Sequence, residues 1–166
     1  MEASVEGLIS ERVIARLNKL RDDIRASIGA HGLRASGRTQ ESLRVTHEGD
    51  EYTLWGRAFF PALQYGSSGW SGKTGIRCTF EEFKAIIRDW VRDKGINIKG
   101  QSSQYERAIG AIAHTIMTSG TKQYRNHAYT DVYDTLIEEA MADIEEIPTG
   151  LLSLEVDNIV GEWTRG

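Results

Sequence analysis

Apolar residues open the chain at Val5, Ile9, Val13, Leu17, Leu20, Ile24 and Ile28, in steps of three or four with charged residues between them. On a helix of 3.6 residues per turn that spacing makes one stripe. Residues 4–28 are therefore predicted to form a helix about 37 Å long, stopped by Gly29 and Gly32. The period then changes. Leu43, Val45 and His47 alternate, as do Tyr52, Leu54 and Gly56, with Glu48-Gly49-Asp50 between them. This predicts a β-hairpin over 44–48 and 51–58. Ahead of it, Ser36 or Thr39 can cap a short helical turn that ends near Leu43.

The middle of the chain is the stretch around which the rest is organised. Pro61 suits the first turn of a helix, so 60–65 is predicted as one turn halted by Gly66. The ten residues 66–75 hold four glycines and three serines, a composition that is mobile unless a partner holds it. A short strand near 75–79 is expected to return the chain to the sheet. Thr79 and Glu82 then form a Thr-x-x-Glu capping box, opening a helix whose buried face is Phe80, Phe83, Ile86, Ile87, Trp90 and Val91. Lys94 and Gly95 close it.

A polar loop leads to a helix over 104–119 with Tyr105, Ala108, Ile109, Ile112, Ala113 and Ile116 in line. Residues 120–130 read as a polar and aromatic loop. Thr130 or Asp131 starts a helix with Val132, Tyr133, Leu136, Ile137, Ala140, Met141 and Ile144 inside. Pro148 is expected to break it, and Thr149 to cap a last helix carrying Leu152, Val156, Ile159 and Trp163. The sum is a helix-rich α+β protein: a long N-terminal helix and a small antiparallel hairpin sheet packed by about four further helices. The length predicts one domain with a single core over 1–148. Residues 149–166 form a C-terminal helix available as an inter-subunit arm.

Composition adds a charge pattern. Net charge is −4, but residues 1–58 are neutral, 59–127 carry +5 and 128–166 carry −9. Such a split has two readings: a solvated acidic helix face, or charge complementarity between neighbouring copies, the positive middle of one meeting the negative tail of the next. No apolar run reaches the roughly 18–20 residues of a membrane span, and the charged N-terminus does not read as a signal peptide, so cytosolic synthesis is expected. The single Cys78 excludes an internal disulfide and a multi-cysteine metal site.

Catalytic patterns are wanting. His31, His47, His114 and His127 lack a second ligand at helical spacing, which disfavours zinc. The segment GSSGWSGKTG ends like a phosphate-binding loop at Gly72-Lys73-Thr74, but Ser67 stands where that motif requires glycine, and no helix starts at the lysine. A basic series, Arg77, Lys84, Arg88 and Arg92, could instead track a phosphate backbone. That is the alternative reading: a nucleic-acid-associated protein that contacts DNA non-specifically through its basic central segment. The lead reading is a protein that grips other proteins. An aromatic step (Phe59, Phe60, Tyr65) and a glycine loop carrying Trp70, Lys73 and Arg77 are the expected partner-binding residues, with Trp70 as anchor.

Gly37, Arg38, Ser42 and Leu43, followed by the aromatic step from 59 to Tyr65-Gly66 and the glycine loop to Gly75, resemble the tail-completion and head–tail joining (neck, minor tail) proteins of tailed bacteriophages. Ile86, Trp90, Val91, Gly95 and Ile96, with Ile112, Ala113, Ile116, Gly120 and Thr121, look like a variant found in Bacteroides-infecting phages. The likeness spans residues 5–147. Where that family usually carries an acidic residue before Tyr-Gly, this chain has Gln64. The resemblance implies a virion structural protein at the head–tail junction. Such proteins form rings with portal and tail neighbours, with no catalytic residue, no cofactor, no metal and no membrane.

Overall fold

The computed structural model describes residues 4–57, 60–70 and 78–163, those from 149 onward by their backbone alone. The architecture is helix-rich α+β. The elements run α1 (Val5–Ala30), α2 (Arg38–Glu41), β1 (Arg44–Glu48), β2 (Glu51–Trp55), α3 (Ala62–Tyr65), α4 (Phe80–Asp93), α5 (Ser102–Ser119), α6 (Lys122–Arg125) and α7 (Asp134–Trp163).

The stripe on α1 is the spine of the larger core. Val13, Leu17, Leu20, Ile24 and Ile28 are buried, with Ile9 packed against them. Ser4 caps the first turn through Gly7 N–H at 3.2 Å. The last turn ends in a Schellman motif, Leu33 N–H to Ile28 O and Gly32 N–H to Gly29 O, both at 3.0 Å. α7 lies against α1 in the opposite direction. Arg16 on α1 meets Asp143 on α7 at 2.5 Å, and His31, just past the end of α1, lies near Asp131, just ahead of α7. Val132, Tyr133 and Ala140 complete the buried set from that side, and Leu136, Ile144 and Ile147 pack on it.

β1 and β2 pair antiparallel from Arg44↔Trp55 to Glu48↔Glu51. The loop is Gly49-Asp50, with positive φ only at Gly49 (58°), the requirement of a II′ turn. Val45, Tyr52 and Leu54 face the core. His47, expected on that face, is exposed and stacks on Tyr52 at 4.5 Å. Arg25 of α1 holds the entry to the hairpin. It donates to the Gln40 and Leu43 carbonyls at 2.9 and 2.8 Å, while Gln40 Nε2 returns a bond to Arg25 O at 2.7 Å. The N-cap position of α2 is Gly37, in left-handed conformation at φ 85°, rather than Ser36 or Thr39. Most of the expected strand near 75–79 lies outside the described residues. Cys78 and Thr79 are not in a strand, and the described sheet has two strands.

α4 and α5 form an antiparallel-type hairpin with a core of its own. Ile87, Val91, Ile109 and Ala113 are buried there, flanked by Phe83, Ile98, Tyr105, Ile112 and Ile116. The buried side chains of the described residues thus fall into two clusters rather than the single core expected from length. The capping box opens α4 as predicted, Glu82 N–H to Thr79 Oγ1 at 3.3 Å and Thr79 N–H to Glu82 Oε2 at 2.6 Å. Phe80, Ile86 and Trp90 correct the expected buried face, for all three are exposed. Among the described residues α4 packs chiefly on α5, and so buries a narrow seam instead of a broad face. Ile137 and Met141 on α7 are exposed for the same reason.

The chain end departs from expectation too. Pro148 sits inside α7, and the backbone helix continues to Trp163. Proline removes one bond, to the Ile144 carbonyl, but its fixed φ near −65° is itself helical. Good helix formers before it (Glu145, Glu146), and Leu151 and Leu152 beyond Thr149 and Gly150, favour a backbone that carries through.

Glu106 ties α4 to α5 by accepting from Arg88 at 3.0 and 2.9 Å and from Lys84 at 3.2 Å. These donors, Arg88 first, hold its carboxyl at about 2, below the ordinary 4.5. A lowered folded value means the stabilisation is complete above pH 4.5 and disappears as pH falls through about 2. In acid titrations followed by circular dichroism, wild type is expected to resist acid better than Glu106→Gln above pH 4. The two curves should converge near pH 2, and a constant offset at all pH values would contradict the assignment.

Candidate interaction surface

The aromatic step is built around a buried amide. Gln64, in the single turn of α3, is 3% exposed. Its Oε1 accepts from Val132 N–H at 3.0 Å and Tyr133 N–H at 3.1 Å, and its Nε2 donates to Asp134 Oδ2. Those two amides immediately precede α7, where the first intrahelical bond, Ile137 N–H to Tyr133 O, is 2.9 Å. The Gln64 carbonyl accepts from Thr130 N–H at 3.1 Å and from Gln123 Nε2 on α6. One residue therefore fastens α3, α6 and the start of α7. Tyr65 O–H also donates to Asp134 Oδ2, and the carboxylate raises the phenol above its usual range. Asp131 adds a second cap by accepting from Thr135, whose bonds hold that carboxyl below its ordinary value.

The rings follow this fastening. Phe60 stacks on Tyr133 at 4.9 Å, and Tyr65 meets Tyr129 and Tyr133 edge-on at 5.7 and 6.4 Å. Phe60 is half-buried and already covered by its own chain, whereas Tyr65 stays exposed. Residues 66–70 then lie on the end of α5, fixed by their backbone. Trp70 N–H donates to Met117 O at 2.8 Å, Thr121 N–H to Ser67 O at 2.9 Å, and Ser67 N–H to Thr121 Oγ1 at 3.1 Å. The glycines here serve close approach. A Cβ on Gly69 would stand 2.3 Å from Thr118 O, and one on Gly120 would stand 2.5 Å from Ser67 O. Trp70 itself packs edge-on against Phe83 of α4 at 4.7 Å. This part of the glycine loop is thus held by the chain itself, contrary to the expectation of a tether awaiting a partner, and its tryptophan closes the α4–α5 hairpin. Phe59, Lys73 and Arg77 lie outside the described residues.

What α4 leaves uncovered is apolar. Ile86 is 55% exposed and Trp90, one turn on, 40%. They form one wall of a cleft of about 490 Å³ whose other wall is the 33–40 segment, with Arg34, Arg38 and Arg57 opposite Asp89 and Asp93. Lys94 Nζ reaches across to Gly32 O at the end of α4. A groove of about 480 Å³ lies on the far side of Trp90, floored by Ala111, Ile112 and Ile116 of α5 and rimmed by Lys122 and Arg125 of α6. No family model matches the chain, and no curated protein or solved structure is significantly similar to it. The chemistry of the surface therefore carries the reading.

The basic series on α4 is largely neutralised. Lys84 and Arg88 are taken up by Glu106, and Arg92 by Asp89 at 3.0 Å and Asp93 at 3.6 Å. His31 bonds the Ser27 carbonyl at 2.9 Å, His114 is exposed, and His127 lies edge-on to Tyr129 at 6.5 Å. Sequence reasoning missed Gln64 as a hub, the turn of α6, and the groove.

Replacing Gln64 by Leu would leave two buried amides without an acceptor, and should cost roughly 2–4 kcal/mol in urea unfolding. Gln64→Glu keeps the acceptors but sets a carboxylate against Asp134. Its deficit relative to wild type is expected at neutral pH and should shrink on acidification, as the pair takes up a proton. A Gln64→Leu chain as stable as wild type would remove Gln64 from its central place.

Proposed function

We propose that this chain is a structural subunit of a phage head–tail junction. In that reading it is a neck or tail-completion ring component that joins portal or connector to tail through oligomeric protein–protein contacts, and its place is the virion. The observation that carries the assembly part is the apolar surface on α4 and α5. Trp90 stands in the walls of two clefts and Ile86 in one of them, instead of in a core. Adjoining exposed apolar side chains rimmed by charge are the usual mark of a surface that another protein covers. The phage part is supported by the resemblance in sequence of residues 35–43, 59–75, 86–96 and 112–121 to the joining proteins. The function so read asks the chain for no catalytic residue and no cofactor.

Two further features support an assembly role. The +5 middle and −9 tail provide unlike surfaces on one chain, as contacts between successive subunits of a ring require. The cations of α4 that could have followed a phosphate backbone are occupied by carboxylates, which leaves protein contacts as the better use of this face.

Native mass measurement of the chain, alone and with the portal and tail proteins of its virion, tests the reading. Closed oligomers on the portal are expected. Ile86→Glu combined with Trp90→Glu should lower their yield at least about tenfold while the unfolding midpoint stays close to wild type. A chain that stays monomeric in both settings would contradict the proposal.

A further inference from the structure

The end of α7 is apolar and acidic in sequence, and the groove beside Trp90 is apolar with a basic rim. Eleven residues separate Arg16 from Val5 on α1, so α1 runs out opposite about residue 154 of the antiparallel α7. The backbone helix continues from there to Trp163, past the first residue of α1. In that overhang Val156, Ile159, Val160 and Trp163 fall at i, i+3, i+4 and i+7, the spacing of a helix that lays one face in a groove. Glu155 and Glu162, seven apart, fall together on one flank of that face. The α4–α5–α6 groove offers Trp90, Ala111, Ile112 and Ile116 as its apolar floor and Lys122 and Arg125 as a cationic rim. Neither rim cation is in an ion pair among the described residues.

The chain cannot fill its own groove. α6 is fastened to the start of α7 through Gln123, Gln64 and Asp134. The overhang begins about 30 Å further along a continuous helix.

We propose that the groove receives residues 155–163 of a second copy of this chain. The contact is heterologous, tail into groove, so each subunit has one of each to offer the next, and a rotation between neighbours that divides a full turn without translation closes a ring. This deepens the assembly reading by naming the surfaces, and does not depend on the identity of the virion.

Charge exchange in the full-length chain tests it. Sedimentation at increasing protein concentration should show self-association of wild type that weakens with added salt. Lys122→Glu with Arg125→Glu, or Glu155→Lys with Glu162→Lys, should each weaken it at least about tenfold, and the two sets combined should restore most of the loss. Trp163→Ala should weaken it without changing its salt dependence. Wild type that remains monomeric overturns the interface, and so does association that ignores both reversals. In the latter case oligomers still form, so the assembly reading survives the loss of this contact. Rim reversal that abolishes binding of a portal or tail protein, with no rescue by the tail reversal, would give the groove a different occupant and also overturn the proposal.

Discussion

The arrangement depends on the accommodation of one buried amide. A helix begins with amide donors that its own turns cannot satisfy, and ahead of α7 two of these, on Val132 and Tyr133, lie in the interior. Gln64 supplies the acceptor, and its amide nitrogen simultaneously gives Asp134 a donor. A glutamate could do the first but not the second, and an apolar residue neither. This is why the single turn of α3, too short to be stable alone, has a fixed place. It is also why α6, which bonds the Gln64 carbonyl, is fixed with it. The cost of burying an amide is offset because each of its polar atoms is used.

From that fixed point the buried side chains of the described residues divide into two clusters, bridged by residues 66–70, by Trp70 on Phe83 and by Lys94 on the Gly32 carbonyl. The larger is α1, the hairpin and α7; the smaller is α4 against α5. Residues 66–70 run from one to the other along the end of α5, at distances only glycine allows. A two-helix hairpin has too little interior to bury a full amphipathic face, so α4 conceals Ile87 and Val91 and leaves Ile86 and Trp90 outside. Exposed apolar surface is therefore a direct consequence of how the core is divided. That consequence links the fold to the assembly role proposed above.

Much of the fold was legible because it rests on local periodicity. The α1 stripe, the Gly49-Asp50 turn, the Pro61 turn halted at Gly66, the Thr79–Glu82 box and the α5 stripe each follow from residues within a few positions of one another. Less legible was whatever depends on a distant neighbour. The spacing of Phe80, Ile86 and Trp90 matches that of Ile87 and Val91 closely enough that only the number of helices packed on α4 separates them. Gln64 meets its partners about seventy residues away, and no local pattern announces that. Glycine content suggested freedom over 66–70, when the same residues permit contact. Pro148 was read as a stop because proline costs a helix about 3 kcal/mol, a penalty that helix formers on either side can outweigh. Of the expected partner-binding residues, Phe60 and Trp70 turn inward, while Tyr65 stays at the surface.

The central claim is that apolar surface beside Trp90 exists to be covered by sister chains. Hydrogen–deuterium exchange of the full chain, compared between dilute and assembled protein, addresses it most directly. Assembly should slow exchange in the second half of α5, in α6 and in the last turns of α7, and leave the centre of α1 unchanged. Exchange that is the same in both states along α5 and α6, or slowed only in the hairpin, would contradict the account.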